Sequence, residues 1–240
     1  MWNQLRVAVV IPAFNEEERL GATLNGIPPW VDLVVVVDDA SHDRTSDVAT
    51  EHADARVVLV RHPHNQGVGA AIRTGYLRGV EHGADILVVM AADNQMSPDD
   101  LPALLEPLRN GAWDYVKGNR FLHPWWRQMP PLRRLGSRFL SALTRLTTGY
   151  DVDDCQCGYT AITAAMVRAL PLEQLWPRYG YPNDLLALLS RCGARVTEVA
   201  VRPVYAGEHS GLHPGHVVSI ATRIVQRGLE TQRTKQKFTL

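Results

Sequence analysis

The sequence predicts an α/β fold with a mostly parallel central sheet and helices on both faces. Three observations carry that expectation. Short β-branched runs alternate with helical stretches four times in the first half of the chain, a pattern that calls for parallel pairing through right-handed crossovers. The runs at 7–11 and 33–37 are continuously apolar, as strands covered on both faces are, whereas a half-exposed strand would alternate. Four polar clusters, Asn15-Glu16, Asp38-Asp39, Asn65-Gln66 and Asp93-Asn94-Gln95, each follow a predicted strand. That gathers them on the carboxyl edge of the sheet, where ligands collect in such folds.

In chain order, the first strand (7–11) stops at Pro12-Ala13-Phe14. Asn15 is expected to cap a helix that opens on Glu16-Glu17-Glu18, charges suited to an amino end, and reaches about Gly26. The second strand (33–37) is stopped by Asp38-Asp39-Ala40-Ser41. A helix over 44–52 and a third strand over 56–60 follow. His64-Asn65-Gln66-Gly67-Val68-Gly69 is a glycine-bearing turn into a helix ending near Glu81. The fourth strand covers 85–90, and Ser97-Pro98-Asp99-Asp100 is a start signal for a helix over 98–108. A short fifth strand covers 114–117.

Beyond Phe121 the texture changes. His123-Pro124-Trp125-Trp126-Arg127-Gln128-Met129-Pro130-Pro131 reads as a loop. It leads into a helix over 132–146 with apolar positions Leu132, Leu135, Phe139, Leu143 and Leu146 and arginines beside or opposite them. That helix either packs its leucines on the core or lies in a membrane interface with cations at the headgroups; residues 217–229 are a second amphipathic candidate. A mixed region from Gly158 contains a helix around Pro182 and ends in a strand over 195–201, and a polar, frayed tail is expected from 231.

Composition narrows the functional classes. Twenty-five Lys and Arg balance 25 Asp and Glu among 240 residues, so no global basic field draws the chain to nucleic acid. Three cysteines, two of them only two residues apart, do not make a disulfide scaffold and fit a reducing compartment. No run approaches the ~20 apolar residues of a spanning helix, and no signal peptide is visible. A peripheral protein on the cytoplasmic side of a membrane, or a soluble truncation of a membrane enzyme, is expected.

The segment Met90-Ala91-Ala92-Asp93-Asn94-Gln95-Met96 carries the most chemistry. A carboxylate in the turn after a buried strand, with an amide oxygen two residues on, offers hard ligands of the kind Mg²⁺ and Mn²⁺ take alongside substrate phosphates. The competing reading is a loop whose Asp and Gln only satisfy backbone donors. Residues 64–69 lack the Lys-Ser/Thr of a P-loop and the third glycine of a dinucleotide fingerprint, so their glycines are expected to permit close packing of the helix on the sheet. The histidines, including His62, His64, His213 and His216, show no zinc-like spacing.

Taken in order, several fragments resemble glycosyltransferase family 2, and within it the dolichyl-phosphate mannosyltransferase type. They are Val9-Val10-Ile11-Pro12-Ala13-Phe14-Asn15-Glu16-Glu17, Val37-Asp38-Asp39-Ala40-Ser41-His42-Asp43-Arg44-Thr45, Asn65-Gln66-Gly67-Val68-Gly69-Ala70-Ala71-Ile72-Arg73-Thr74-Gly75-Tyr76, the 90–96 segment, Gly118-Asn119-Arg120-Phe121 and Asp154-Cys155-Gln156-Cys157-Gly158-Tyr159. Asn183-Asp184-Leu185-Leu186 and Tyr205-Ala206-Gly207-Glu208-His209-Ser210 resemble late family segments near the acceptor.

The resemblance implies a GT-A fold over residues 1–230, divided into a nucleotide-sugar half (1–118) and an acceptor half (119–230). It implies a nucleotide-sugar donor, Mn²⁺ or Mg²⁺, and a polyprenyl-phosphate acceptor. By position, Pro12, Ala13, Phe14, Glu16 and Ala92 would line the nucleotide pocket, and Asp39 would meet the base with Asp38 beside it. Asp93 and Gln95 would hold the metal, Arg120 and Arg134 would hold phosphates, and Asp154 would position acceptor or sugar, or serve as base were the acceptor a hydroxyl. Ala91 stands where the family's D-x-D motif has its first acid. The implied reaction is inverting transfer of a hexose, mannose from GDP-mannose first. A UDP-sugar donor, a saccharide hydroxyl acceptor, a non-catalytic nucleotide-sugar-binding protein and, least favoured, a nucleotidyltransferase are the competing readings.

Overall fold

The computed structural model describes residues 1–52, 54–204 and 214–237. Its centre is a seven-stranded sheet in the order β3-β2-β1-β4-β6-β5-β7. The strands are β1 (Val7–Ala13), β2 (Leu33–Asp38), β3 (Val57–Arg61), β4 (Ile86–Val89), β5 (Tyr115–Asn119), β6 (Thr160–Thr163) and β7 (Val196–Ala200). β1 pairs in parallel with both β2 and β4, with Val10 opposite Val35 on one side and Val89 on the other. β6 runs antiparallel to β4 and β5, so it alone opposes the remaining strands.

The helices are α1 (Leu20–Gly26), α2 (Thr45–Glu51), α3 (Val68–Glu81), α4 (Leu101–Arg109), α5 (Pro131–Thr148), α6 (Ala164–Ala169), α7 (Tyr181–Arg191) and α8 (Pro214–Lys237). Alternate residues of the central strands feed two cores. Val7, Val9, Ile11, Val34, Val36 and Val88 pack with Leu20 and Leu24 of α1 and Leu101, Leu104 and Leu105 of α4. Ala8, Val10, Val35, Leu87 and Val89 pack with Ile72 and Tyr76 of α3, Leu185 and Leu189 of α7 and Ile220 and Ile224 of α8. Burial on both faces is why these strands read as unbroken apolar runs.

Four expectations are corrected. Asn15 does not cap α1, which begins only at Leu20. Asn15 is left-handed, at φ 56°, and its Oδ1 accepts from the His42 N–H, while its own N–H donates to Ser41 Oγ. With the Glu16 N–H donating to Thr45 Oγ1, and Glu17 accepting from the Arg44 N–H, the polar residues after β1 stitch that turn to the one after β2. Second, β6 is a strand inside the region that reads as mixed; at four residues its pattern is too short to separate from its surroundings. Third, the expected frayed tail is helical past residue 231, since α8 continues to Lys237 through Gln, Arg and Lys, all good helix formers.

The fourth correction concerns the glycines of α3, which do two jobs. Gly75 and Gly79 lie against the sheet: a Cβ at Gly75 would sit 2.1 Å from Val10 Cγ1, and one at Gly79 2.5 Å from Leu87 Cδ2. Gly67 and Gly69 instead make room for a loop, where a Cβ would meet the carbonyl oxygens of Pro177 at 2.4 Å and Trp176 at 2.1 Å. The three cysteines are free, with Cys155 and Cys157 buried.

Because a methyl at Gly75 would strike the buried Val10, Gly75→Ala is expected to destabilise the chain by about 1–3 kcal/mol, the usual cost of overpacking. A chemical-denaturation midpoint indistinguishable from wild type would contradict that close contact.

Candidate active site

A cavity of about 650 Å³ opens at the carboxyl edge of the sheet. Pro12, Ala13, Phe14 and Glu16 reach it from the end of β1, and Asp39 from the end of β2. Asn65, Gly67, Val68 and Ala71 come from the turn into α3, and Ala91, Ala92 and Asp93 from the turn after β4. Trp176, Arg178, Tyr179 and Ser219 close it from the second half of the chain. The volume falls in the range typical of small-molecule sites. Asn15, Ala40 and Asn94, one in each of the turns after β1, β2 and β4, are left-handed. Such conformations disfavour L-residues and cluster where turns are shaped for function.

The two acids after β2 divide their work. Asp38 is fully buried; its carboxylate accepts from the Ser41 N–H at 2.8 Å and from the Ser46 hydroxyl, with Arg61 3.7 Å away. It is not among the lining residues; beside Asp39, it shapes the turn. Asp39 does line the cavity, yet both its oxygens are engaged. Oδ1 sits 2.7 Å from His62 Nδ1 and accepts from the Gln66 N–H, and Oδ2 accepts from the Gly67 N–H at 2.6 Å. His62 is thus a satisfied buried histidine, its other ring nitrogen 2.9 Å from the Thr74 hydroxyl.

The turn after β4 places Ala92 under the cavity, its carbonyl accepting from Thr23 Oγ1, and Asp93 at the wall. The Gln95 N–H donates to Asp93 Oδ1 at 3.0 Å; Gln95 itself is not among the lining residues. Among the described residues no cluster of three His, Cys, Asp or Glu could hold a metal alone. One carboxylate at the wall of an open cavity fits a hard dication that takes its other ligands from a bound diphosphate and water.

Arg120, Arg134 and Asp154 lie outside the cavity lining. Asp154 is fully buried and receives a two-pronged grip from Arg120, Nε at 2.7 Å and Nη2 at 2.9 Å, plus the Arg120 N–H. Burial alone would raise the Asp154 pKa, but the charge and hydrogen bonds of Arg120, with Lys117 behind, outweigh it and hold the carboxyl below its ordinary value. Glu198 braces the same loop by accepting from the N–H groups of Asp153 and Asp154 and from Asn119 Nδ2, and burial pushes its pKa up. Arg134 stacks over Trp126 at 5.3 Å, together with Arg127 at 5.7 Å and Arg138 at 5.9 Å, and Arg138 also covers Phe121. Three guanidinium groups thus converge on one indole ring.

Comparison with known proteins places this architecture. The Glycosyl transferase family 2 profile matches residues 8–175. The chain belongs to glycosyltransferase family 2. It is 30% identical over 215 residues to the UDP-N-acetylglucosamine–dolichyl-phosphate N-acetylglucosaminyltransferase of Methanococcus voltae, covering 83% of this chain and 86% of that one. It is 34% identical over 230 residues to the undecaprenyl-phosphate mannosyltransferase of Micrococcus luteus, covering 91% and 93%. The crystal structure of glucosyl-3-phosphoglycerate synthase from Mycobacterium tuberculosis with Mn²⁺, UDP and glucosyl-3-phosphoglycerate superposes with a TM-score of 0.69 at 24% identity, over 95% of this chain and 80% of that one. That likeness establishes the GT-A fold.

In this family 2 glycosyltransferase, sequence reasoning missed the wall made by Trp176, Arg178, Tyr179 and Ser219. A signal was present: Trp176-Pro177-Arg178-Tyr179-Gly180-Tyr181-Pro182 interleaves turn formers with aromatics and a cation. The segment 205–210 and His213 lie outside the described residues.

Asp154→Asn removes the partner of a largely buried guanidinium. The expected loss is about 3–5 kcal/mol of stability, read as a lowered unfolding midpoint. Because the folded pKa lies below the ordinary 3.8, the stability this carboxylate contributes is present above that value and is lost as pH falls through the lower folded pKa. Equal acid profiles for wild type and variant would refute the pairing.

Proposed function

We propose that the chain transfers a hexose from a nucleoside-diphosphate sugar to a polyprenyl phosphate, with inversion, while bound peripherally to the cytoplasmic face of a membrane. The observation that carries this reading is the nucleotide-sized cavity at the carboxyl edge of the sheet, walled by Asp39 and Asp93; an arginine–aromatic cluster and an outward apolar helix face elsewhere on the chain support the acceptor and the membrane. The two relatives named above use different sugars but share a polyprenyl-phosphate acceptor, which supports the acceptor more firmly than the donor. GDP-mannose is the donor we favour. The UDP-sugar named for the Methanococcus voltae relative makes UDP-N-acetylglucosamine the second.

The proposed reaction is a direct displacement. A lipid monophosphate is largely ionised near neutral pH, its second pKa being about 6, so its oxygen attacks the anomeric carbon without a general base. The state of Asp154 supports this: a carboxyl held at low proton affinity and gripped by Arg120 is suited to orienting that arginine, not to taking a proton. Arg134 and its stacked neighbours Arg127 and Arg138 offer the acceptor phosphate a planar, cationic surface. A dication held by Asp93, with Gln95 beside it, would supply neutralisation of the charge that grows on the departing diphosphate.

The membrane assignment rests on an inverted helix. α5 buries its small polar side, Ser137, Ser141, Thr144 and Thr148 with Leu140, while Leu132 (80% exposed), Leu135 (68%), Phe139 (56%) and Leu146 (81%) face solvent. The buried hydroxyls are bonded inward: Ser141 Oγ accepts from the Cys155 N–H, and Thr144 Oγ1 from Asn183 Nδ2. Beside α5, with Gly228 against Thr147, α8 exposes Val218, Val225 and Leu229. Arginines 134 and 138 stand on the same helix next to the exposed Leu135 and Phe139, an apolar face with adjoining cations that matches the apolar interior and anionic headgroups of a bilayer surface. Among the described residues no helix is long and apolar enough to cross the membrane.

Incubation with Mn²⁺, a short polyprenyl phosphate and labelled GDP-mannose or UDP-N-acetylglucosamine should give labelled lipid from one donor. Asp93→Ala should cut the rate at least ~100-fold, on the scale of losing one transition-state electrostatic contact. Absence of transfer from any nucleotide sugar would leave only a binding protein. In a separate assay, Leu135→Glu with Phe139→Glu should abolish sedimentation with anionic phosphatidylglycerol vesicles without lowering the unfolding midpoint, since both side chains are exposed. Undiminished sedimentation would remove α5 from the membrane.

A further inference from the structure

We propose that Arg178 is the protein's own cation on the donor diphosphate, an assignment that rests on the nucleotide-sugar reading of the cavity. The lining holds three carboxylates, Glu16, Asp39 and Asp93, and among the described residues Arg178 is its one cationic side chain. Arg19 lies 3.6 Å from Glu16 and His62 2.7 Å from Asp39, but neither lines the cavity, so a diphosphate there gains from a cation that does.

The usual alternative, a ring of backbone N–H groups at a helix amino end, is mostly taken up within the protein. Before α3, the Gln66 and Gly67 N–H groups donate to Asp39. Inside its first turn, the Gly69 and Ala70 N–H groups donate to the Pro177 carbonyl at 2.8 and 3.2 Å. Four donors that a phosphate loop would aim at its ligand are therefore engaged within the protein. The two arginines singled out in the sequence are held elsewhere, Arg120 against Asp154 and Arg134 against Trp126.

Arg178 differs from both. Arg178 is among the lining residues, and its exposed side chain makes no hydrogen bond, ion pair or ring contact with the described residues. Its stem crosses Gly67 so closely that a Cβ there would lie 2.9 Å from Arg178 Cγ. The backbone that carries it is fixed. The Trp176 N–H donates to the buried Asp184, Trp176 Nε1 to the Tyr179 carbonyl, and the Tyr181 N–H to the Arg178 carbonyl. Asp184 in turn is clamped by Arg223 and Arg227 of α8 at 2.9 and 2.6 Å. A free guanidinium on a fixed turn can grip two phosphate oxygens at once and lowers the barrier as charge accumulates on the leaving diphosphate.

The test is calorimetric titration of wild type, Arg178→Ala and Arg178→Lys with GDP and UDP in Mn²⁺, and with guanosine and uridine as phosphate-free controls. Arg178→Ala should weaken the preferred diphosphate about 10- to 100-fold, as expected for a charge-assisted contact, and change nucleoside binding less than about twofold. Arg178→Lys should recover part of the loss, and the unliganded unfolding midpoint should stay at the wild-type value in both variants. Unchanged diphosphate affinity in Arg178→Ala, or an equal loss for diphosphate and nucleoside, overturns the assignment while leaving the nucleotide-sugar reading in place. If wild type binds neither GDP nor UDP, that reading falls and the assignment falls with it.

Discussion

The Pro177 carbonyl on the amino end of α3 is the contact on which the site depends. A helix amino end must satisfy its first N–H groups with something. Here Gly69 and Ala70 satisfy theirs with a residue more than a hundred positions along the chain. The bonds join the parallel half of the fold to the second half beside the cavity that both line. They also dictate sequence on both sides: Gly67 and Gly69 cannot carry side chains without striking the carbonyls of Pro177 and Trp176. What looks at first like a phosphate loop is therefore chiefly a docking surface for protein backbone, with most of its N–H groups spent on Asp39 and Pro177.

The same turn is tied outward as well as inward. Asp184 lies fully inside the protein at the start of α7, accepts from the Trp176 N–H, and binds two arginines of α8. A buried ion cluster of this kind contributes little net stability, because desolvation offsets most of the attraction; its value lies in fixing one arrangement. The arrangement it fixes is consequential. α8 lends Ser219 to the cavity and, on its outer side, exposes Val218, Val225 and Leu229. Under the membrane reading, the helix that meets the lipid also walls the nucleotide pocket, and no long-range signal is needed to bring donor and lipid acceptor to one place.

Much of this was legible in the sequence, for physical reasons that differ by element. The central strands declared themselves because burial on both faces leaves no room for polar residues, and the turns after them because left-handed positions at Asn15 and Asn94 select asparagine. Asp39 and Asp93 stood out as acids where a buried strand ends. Other features were hidden. Helical spacing located the apolar stripe of α5 but cannot say which side of a helix faces the protein; that was decided by hydroxyls bonding to Cys155 and Asn183, contacts made across the fold. β6 was hidden by brevity. The Trp176–Tyr179 wall was hidden because its partners, Gly67 and Gly69, lie far away in the chain and read locally as a helix start.

Ala91 in place of an acid gains meaning from this electrostatic inventory. The lining already carries Glu16, Asp39 and Asp93. Asp39 is stabilised by His62 and two N–H groups, so its charge is local and partly balanced. A further carboxylate at 91 would add charge beside Asp93, favouring a bound dication but repelling the diphosphate whenever the dication is absent. On the proposed assignments, alanine there would leave less of the neutralisation to the dication and more to a guanidinium that the protein carries permanently. Under the proposed reaction this alters the balance between two ways of stabilising one leaving group, without altering the chemistry. It also accounts for why a chain missing the first acid of its motif can keep the rest of the site: the charge that matters is developed on the ligand, and Arg178 and Asp93 line the cavity into which it departs.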